Sequence, residues 1–181
     1  YSYIDVKKYF KDYLFSSIGG VFSYEQLFLP AGRSFYANFQ RNIYSLLSNK
    51  ALDPFIIELG LIYNNFQENY RLRDYYKLKN NSYENLYHDQ KFDLLVQKLL
   101  NGKYEYSKDE DYLIFKDGRR TNITFSSSGQ QEILPLIIVL SNILFFPSEL
   151  INGRSIYIEE PEAHLFPTAQ KNIVELLALV F

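Results

Sequence analysis

Apolar residues recur along much of this chain with the spacing of helices that bury one face. Between Tyr3 and Phe15 the apolar positions follow the three-to-four-residue spacing of an amphipathic helix. Asp53-Pro54 is a favourable helix start, because aspartate caps the first turn and proline fits within it. Asn101-Gly102 is a favourable helix end. The pattern therefore predicts three further helices, at about 35–47, 54–78 and 83–100.

Shorter runs of β-branched and aromatic residues predict strands. Phe22–Leu29 forms one such run and leads into the turn at Pro30–Ser34. Ile156–Ile158 is another, and the apolar stretch that ends at Phe146 predicts a long buried helix before it. Asp117-Gly118 is a strong hairpin signal between two further runs. The remaining short strands are predicted at about 104–106, 112–115 and 121–125.

Composition places the chain among ordinary soluble proteins. It has 181 residues, of which 47% are hydrophobic and 22% charged, with a net charge of −2. This length suits one domain or a large part of one. The absence of cysteine excludes a disulfide framework and agrees with a cytoplasmic location. Because the chain has no methionine and ends at Phe181 within an apolar helical pattern, we expect it to be part of a longer protein.

No membrane segment is expected. The amino end has no basic region followed by an apolar run, so no signal peptide is evident. The apolar stretch Ile133–Phe146 is too short to span a bilayer and contains Pro135 and Asn142. We therefore interpret it as a buried core helix.

Two adjacent acids follow the predicted strand at Ile156–Ile158. Glu159 and Glu160 stand side by side before Pro161. A buried strand that ends in paired acids carries negative charge to the carboxyl edge of a sheet, where open α/β folds bind ligands. Adjacent carboxylates repel each other unless a cation lies near them. The simplest such cation is Mg²⁺ accompanying a nucleotide.

The sequence E-E-P-E-A-H-L-F-P from Glu159 to Pro167 resembles the Walker B end and D-loop of ATP-binding-cassette-type ATPases, most closely the prokaryotic AAA/RecF/OLD-like branch. The resemblance implies an α/β P-loop NTPase fold, of which this chain is the carboxyl-side part, with a helical lobe and a partial central sheet. It implies that Glu160 is the catalytic glutamate and that Glu159 helps to hold Mg²⁺, where an aspartate is usual. Glu162 and His164 would lie in the D-loop, which crosses a dimer interface in this superfamily.

Other interpretations of the same acids remain open. Exposed glutamates before a helix starting near Pro167 would be favoured by the helix dipole alone. His164 alone would be interpreted as a hydrogen-bonded surface or core histidine. A third interpretation is a metal-dependent nuclease that uses Glu159, Glu160 and Glu162 directly on nucleic acid.

A small-residue stretch precedes the long apolar helix. Serines and a glycine let a backbone approach a phosphate closely, and the amino end of the following helix attracts anions. The stretch S-S-S-G-Q-Q-E at Ser126–Glu132 resembles the ATP-binding-cassette signature, usually L-S-G-G-Q. The resemblance implies that Ser127, Ser128, Gly129 and Gln130 contact ATP held by a second copy of the protein. The alternative is a serine that simply caps the buried helix.

The turn at Pro30–Ser34 carries a weaker resemblance. Its wording L-P-A-G-R-S, starting at Leu29, is similar to the I-P-A-x-R-S element of the same ATPases. The resemblance implies that Arg33 faces the nucleotide region or braces the lobe. The alternative is a surface arginine after a tight turn.

The resemblance divides the chain into core residues 1–34, a helical lobe at 35–101 and the signature and Walker B part at 102–181. The Walker A pattern G-x-x-x-x-G-K-[ST] does not occur in these residues, so we expect most of the nucleotide pocket to lie upstream and the fragment alone to be inactive.

Expected cofactors are ATP and Mg²⁺, and the expected partner is a second copy. A nuclease or other effector and DNA are further candidate partners, and a nucleotide-gated scaffold with incidental hydrolysis is the rival function. The basic residues of the stretch Arg71–Lys79 are a candidate DNA-binding surface. The alternative is a solvent-exposed helix face with no role in nucleic-acid binding. The resemblance implies cytoplasmic roles in DNA repair or defence against phage.

Overall fold

A computed structural model describes residues 25–38, 54–79, 83–107, 110–146 and 154–181, together with 9, 12, 13, 16 and 17. Within the helix predicted at the amino end, Tyr9, Asp12 and Tyr13 are helical and exposed; its other positions lie outside the described residues. The elements in chain order are β1 (Glu25–Leu29), α1 (Ser34–Asn38), α2 (Pro54–Lys79), α3 (Tyr83–Leu100), β2 (Lys103–Ser107), β3 (Glu110–Ile114), β4 (Arg120–Asn122), a 3₁₀ helix (Ile123–Phe125), α4 (Ser128–Phe145), β5 (Arg154–Ile158) and α5 (Pro167–Val180).

Two small sheets accompany the helices. Strands β1 and β5 pair in parallel, with Leu27 opposite Ile156 and Leu29 opposite Ile158, so their carboxyl ends meet at one edge. Strands β2, β3 and β4 form an antiparallel meander. Gly118 has φ of 83° in the turn between β3 and β4, a left-handed conformation that glycine adopts without strain. Mixed helices and sheets agree with the expected α/β class.

The predicted strand at 121–125 is wrong in its second half. The strand ends at Asn122, and Ile123–Phe125 forms a 3₁₀ helix. The side chain of Asn122 accepts hydrogen bonds from the Thr124 main-chain N–H at 2.9 Å and the Thr124 hydroxyl at 2.8 Å. Asparagine thus ends the strand through local hydrogen bonds that compete with sheet pairing.

Helix α4 is the centre of the core. Its residues from Glu132 to Asn142 are buried, and it contacts α1, α2, α3 and α5. By length and composition alone α4 could cross a membrane, but 61% of it is buried inside the protein, as in the core helix of a soluble fold. Its apolar character is therefore explained by packing. The boundaries proposed at residues 34 and 101 stay a prediction.

Candidate functional site

The paired acids stand at the shared carboxyl edge of β1 and β5. The Glu159 main-chain N–H donates to the Leu29 carbonyl at 2.9 Å, which continues the strand pairing by one residue. One carboxylate oxygen of Glu159 accepts from the Ala31 N–H at 3.0 Å. Glu159 and Glu160 are both exposed. Since a carboxylate offers about four lone-pair sites, Glu159 retains acceptor capacity for a further ligand.

The D-loop candidate residues form a tight, strained turn. The Ala163 N–H donates to the Glu160 carbonyl at 3.0 Å, and the Leu165 N–H donates to the Glu162 carbonyl at 3.1 Å. Glu160 and His164 have φ of 41° and 60°, in the left-handed region. For residues other than glycine this conformation costs roughly 1–2 kcal/mol each and persists only where the surroundings impose it. Glu160, Glu162 and His164 are exposed, so their side chains are accessible to a ligand or a partner.

The signature candidate residues begin α4. The Ser127 hydroxyl accepts from the Gln130 N–H at 3.3 Å, and the Gln130 side chain accepts from the Ser127 N–H at 3.0 Å. This reciprocal pair is a capping box. The Gln130 amide also donates to the Leu100 carbonyl at 2.6 Å. The N-cap interpretation of Ser127 is therefore confirmed, and Ser127 and Ser128 remain exposed.

The start of α4 packs directly against the D-loop turn. A Cβ atom added at Gly129 would lie 2.7 Å from the His164 carbonyl oxygen and 3.5 Å from the Leu165 side chain. Real Cβ atoms do not approach a main-chain oxygen this closely, so glycine is required for the contact. The signature and D-loop candidates of one chain therefore lie side by side.

Arg33 links the turn after β1, the paired acids and the start of α4 through hydrogen bonds. It is 1% exposed, so the interpretation as a surface arginine is wrong. Its guanidinium donates to the Pro30 carbonyl at 3.0 Å, the Glu159 carbonyl at 2.8 Å and the Glu160 carbonyl at 3.0 Å. It also donates to the Glu132 carbonyl at 3.3 Å. Its contacts are main-chain oxygens of the turn after β1, the acids after β5 and the first turns of α4.

Glu132 is a buried acid that sequence reasoning did not single out. It is 2% exposed, and its carboxylate accepts from the Ser34 N–H. Burial lowers the pKa of Arg33 below its usual value, and nearby acids oppose this effect, in the order Glu132, Glu159, Glu160 and Glu162. An acid directly before the apolar run that begins at Ile133 was the signal that could have identified Glu132.

A second buried polar cluster lies away from this site. Asp111 on β3 is fully buried and accepts from the Tyr63 hydroxyl at 3.3 Å and from the Gln67 amide at 2.8 and 2.9 Å. It also accepts from the Tyr104 hydroxyl. Burial raises the pKa of Asp111 to about 6, although these hydrogen bonds oppose the shift. The cluster joins α2 to β2 and β3.

Part of the basic stretch at Arg71–Lys79 is engaged in packing. Arg73 is buried and pairs with Asp93. Its guanidinium also lies over three aromatic rings, at 4.6 to 5.4 Å from the ring centres of Tyr70, Phe92 and Phe145. Arg73 is therefore unsuited to a nucleic-acid surface.

Arg71, by contrast, is exposed and pairs with Glu68 at 2.7 Å. The side chains of Lys77 and Lys79 lie outside the described residues. DNA binding by this helix stays a prediction.

The acids fit a metal that arrives with a nucleotide. Within the described ranges, no group of three or more acidic, histidine or cysteine residues is placed to hold a metal ion. Mg²⁺ usually keeps several waters and binds one or two carboxylates together with substrate phosphates. Glu159, exposed at the sheet edge, suits that coordination better than an all-protein cage.

Comparison with known families decides the class of protein. The profile of the AAA ATPase domain family matches residues 31–181, which include Arg33, the start of α4 and the paired acids. The chain belongs to the AAA ATPase domain family. Membership indicates ATP binding and hydrolysis as the general activity, in a P-loop NTPase fold that typically uses Mg²⁺. Neither the curated proteins nor the solved structures include a significant match.

Proposed function

We propose that this AAA ATPase domain is the carboxyl-side part of an ATP-binding-cassette-like enzyme of the AAA/RecF/OLD-like branch, in which two copies enclose ATP. The observation that carries the proposal is the contact between Gly129 and the His164 carbonyl. It places the amino end of α4 beside the turn that follows Glu160. The amino end of a helix, which attracts phosphate, and the paired acids thus share one face of the chain, which a second copy could approach.

In this proposal Glu160 orients or deprotonates the attacking water, and Glu159 holds the metal through water or directly. When bound with ATP, Mg²⁺ neutralises charge on the transferred phosphate. Ser127, Ser128 and Gly129 bind the γ-phosphate of ATP held by the other copy, through hydroxyls and main-chain N–H groups. Glu162 and His164 contact the second copy.

The role of Gln130 is narrower than its place in the signature implies. Its side-chain oxygen accepts from Ser127 and its side-chain nitrogen donates to Leu100. Its own N–H already donates to the Ser127 hydroxyl. We therefore assign Gln130 to shaping the turn that binds phosphate.

The test is Glu160→Gln in the full-length protein. Losing a general base costs about 10²–10⁴-fold in rate, so kcat for ATP should fall at least a hundredfold while ATP binding persists. Light scattering should show dimers that accumulate with ATP. The matched control is Glu68→Gln, a partly exposed glutamate of α2 outside the site, which should retain the wild-type rate.

Other outcomes identify the rival functions. If Glu160→Gln keeps its biological function despite lost hydrolysis, a nucleotide-gated scaffold that recruits a nuclease or other effector replaces the proposal. If the wild-type protein cleaves DNA with Mg²⁺ and no ATP, a metal-dependent nuclease replaces it. The cytoplasmic roles in DNA repair or phage defence belong to the same proposal and rest on the resemblance alone.

A further inference from the structure

Arg33 and Glu132 join three segments that meet at the paired acids. Arg33 donates to main-chain oxygens on the turn after β1, on Glu159 and Glu160, and on Glu132. The Glu132 carboxylate returns a contact by accepting from the N–H of Ser34, the next residue after Arg33. Both side chains are almost completely buried. The pair therefore links α4 to the sheet edge in both directions.

We propose that Arg33 and Glu132 are positioning residues, which hold the backbone of Glu159 and Glu160 in a fixed relation to the start of α4. The inference rests on the proposed ATPase function and adds to it how the proposed base is held. Neither side chain has to touch ATP, because both act through the main chain of the acids.

We call Arg33 and Glu132 together the clamp. The backbone conformation of Glu160 shows why it has to be held in place. Its φ of 41° is unfavourable for glutamate, so the conformation must be imposed by its surroundings. Arg33 binds its carbonyl at 3.0 Å and the preceding carbonyl of Glu159 at 2.8 Å. Two successive carbonyls held by one planar guanidinium fix the peptide between them. The single nitrogen of a lysine could not reproduce this geometry.

Glu132 completes the clamp from the helix. Its main-chain oxygen accepts from the Arg33 Nε at 3.3 Å, while its carboxylate binds the Ser34 N–H and its charge lies near the buried guanidinium. A change at either residue should therefore shift Glu160 relative to the sheet edge and to the ATP on which it acts. Misplacement of a catalytic group by about 1 Å can cost roughly a hundredfold in rate, so the effect should fall on kcat.

The experiment compares Arg33→Lys and Glu132→Gln with matched changes elsewhere in the full-length protein. The controls are Arg73→Lys and Asp111→Asn, which alter a buried arginine and a buried carboxylate outside the site. We expect both clamp variants to lose at least roughly tenfold in kcat for ATP with KM changed less than threefold. The controls should lower Tm by similar amounts and keep kcat within twofold of wild type.

Hydrogen exchange provides a readout that does not depend on ATP. The Ala163 and Leu165 amides close the turn after Glu160, so they should exchange at least roughly tenfold faster in Arg33→Lys and unchanged in Arg73→Lys. If Arg33→Lys does not fold, Glu132→Gln carries the same comparison.

Different results would refute the proposed ATPase function and the positioning role of Arg33 and Glu132. Absence of ATPase activity in the wild-type protein would refute the proposed function, while faster exchange in the clamp variants would still support the clamp. Unchanged exchange, or a kcat equal to that of the matched control, would refute the clamp even in an active ATPase.

Discussion

The molecule holds two buried charges in opposite ways. Asp111 accepts hydrogen bonds from the side chains of Tyr63, Gln67 and Tyr104, and so fastens one element to another. Arg33 donates to main-chain oxygens and so determines the conformation of the backbone itself. The first arrangement contributes to packing, whereas the second also decides where an exposed acid points. Buried charge alone therefore does not indicate a functional site; the kind of partner does.

The largest expected effect concerns Asp111. Its pKa in the folded protein is about 6, against an ordinary value of 3.8, so the folded state binds the proton more tightly than the unfolded state. The resulting stabilisation is fully present below pH 3.8 and is lost as the pH rises through 6. At 1.36 kcal/mol per pKa unit, it amounts to about 3 kcal/mol.

Asp111→Asn should remove this contribution, because asparagine does not titrate. Urea unfolding of wild type and variant from pH 4 to 7 measures the difference in unfolding free energy at each pH. We expect the wild type to lose stability relative to the variant as the pH rises through this window. A difference that stays constant with pH would show that Asp111 titrates as it does in an unfolded chain.

A second prediction compares Gly129, at the proposed site, with Gly102, which packs against the strand that carries Asp111. An added Cβ would lie 2.7 Å from the His164 oxygen at Gly129 and 2.9 Å from the Ile114 oxygen at Gly102. Gly129→Ala and Gly102→Ala should therefore destabilise the protein by similar amounts, about 1–3 kcal/mol for such overpacking. Only Gly129→Ala should reduce ATPase activity, because only Gly129 lies at the proposed site. Equal activities in the two variants would place the functional face elsewhere.

The smallest expected effect concerns the cap of α4. Ser127→Ala removes the acceptor for the Gln130 N–H and should cost about 1 kcal/mol of stability. If Ser127 also binds phosphate, the variant should weaken ATP-dependent dimerisation as well. Asn122→Ala is the matched control, since Asn122 caps the neighbouring 3₁₀ helix in the same manner. Equal dimerisation in both variants would limit Ser127 to its capping role.

Local signals in the sequence predicted most of the helices and strands in the part of the chain that the structure describes. Helix α2 begins at Pro54 as its capping signal predicted, and α3 ends immediately before Asn101-Gly102. The parallel strand β5 ends where the paired acids begin. The error at 121–125 arose because the side chain of Asn122 forms local hydrogen bonds that end the strand, against the strand preference of Ile123 and Phe125.

Tertiary contacts were much less predictable. The burial of Arg33 depends on carbonyls about a hundred or more positions further along the chain, which a six-residue motif cannot reveal. Asp111 lies in the short strand β3, in which buried and partly buried residues alternate. This alternation was seen in the folded structure and could not be predicted from the sequence. The location of the acids and of the signature stretch was predicted by resemblance; their catalytic roles stay predictions.

The capping box at Ser127 has a consequence for association. The serine and glutamine side chains are already immobilised by each other and by Leu100 in the free chain. Fixing a flexible side chain during binding costs about 0.5–1.5 kcal/mol. The side chains that a phosphate would meet at this helix end lost their conformational freedom when the chain folded. The affinity for phosphate is therefore governed by the contacts with it, and little by the entropic cost of ordering the turn.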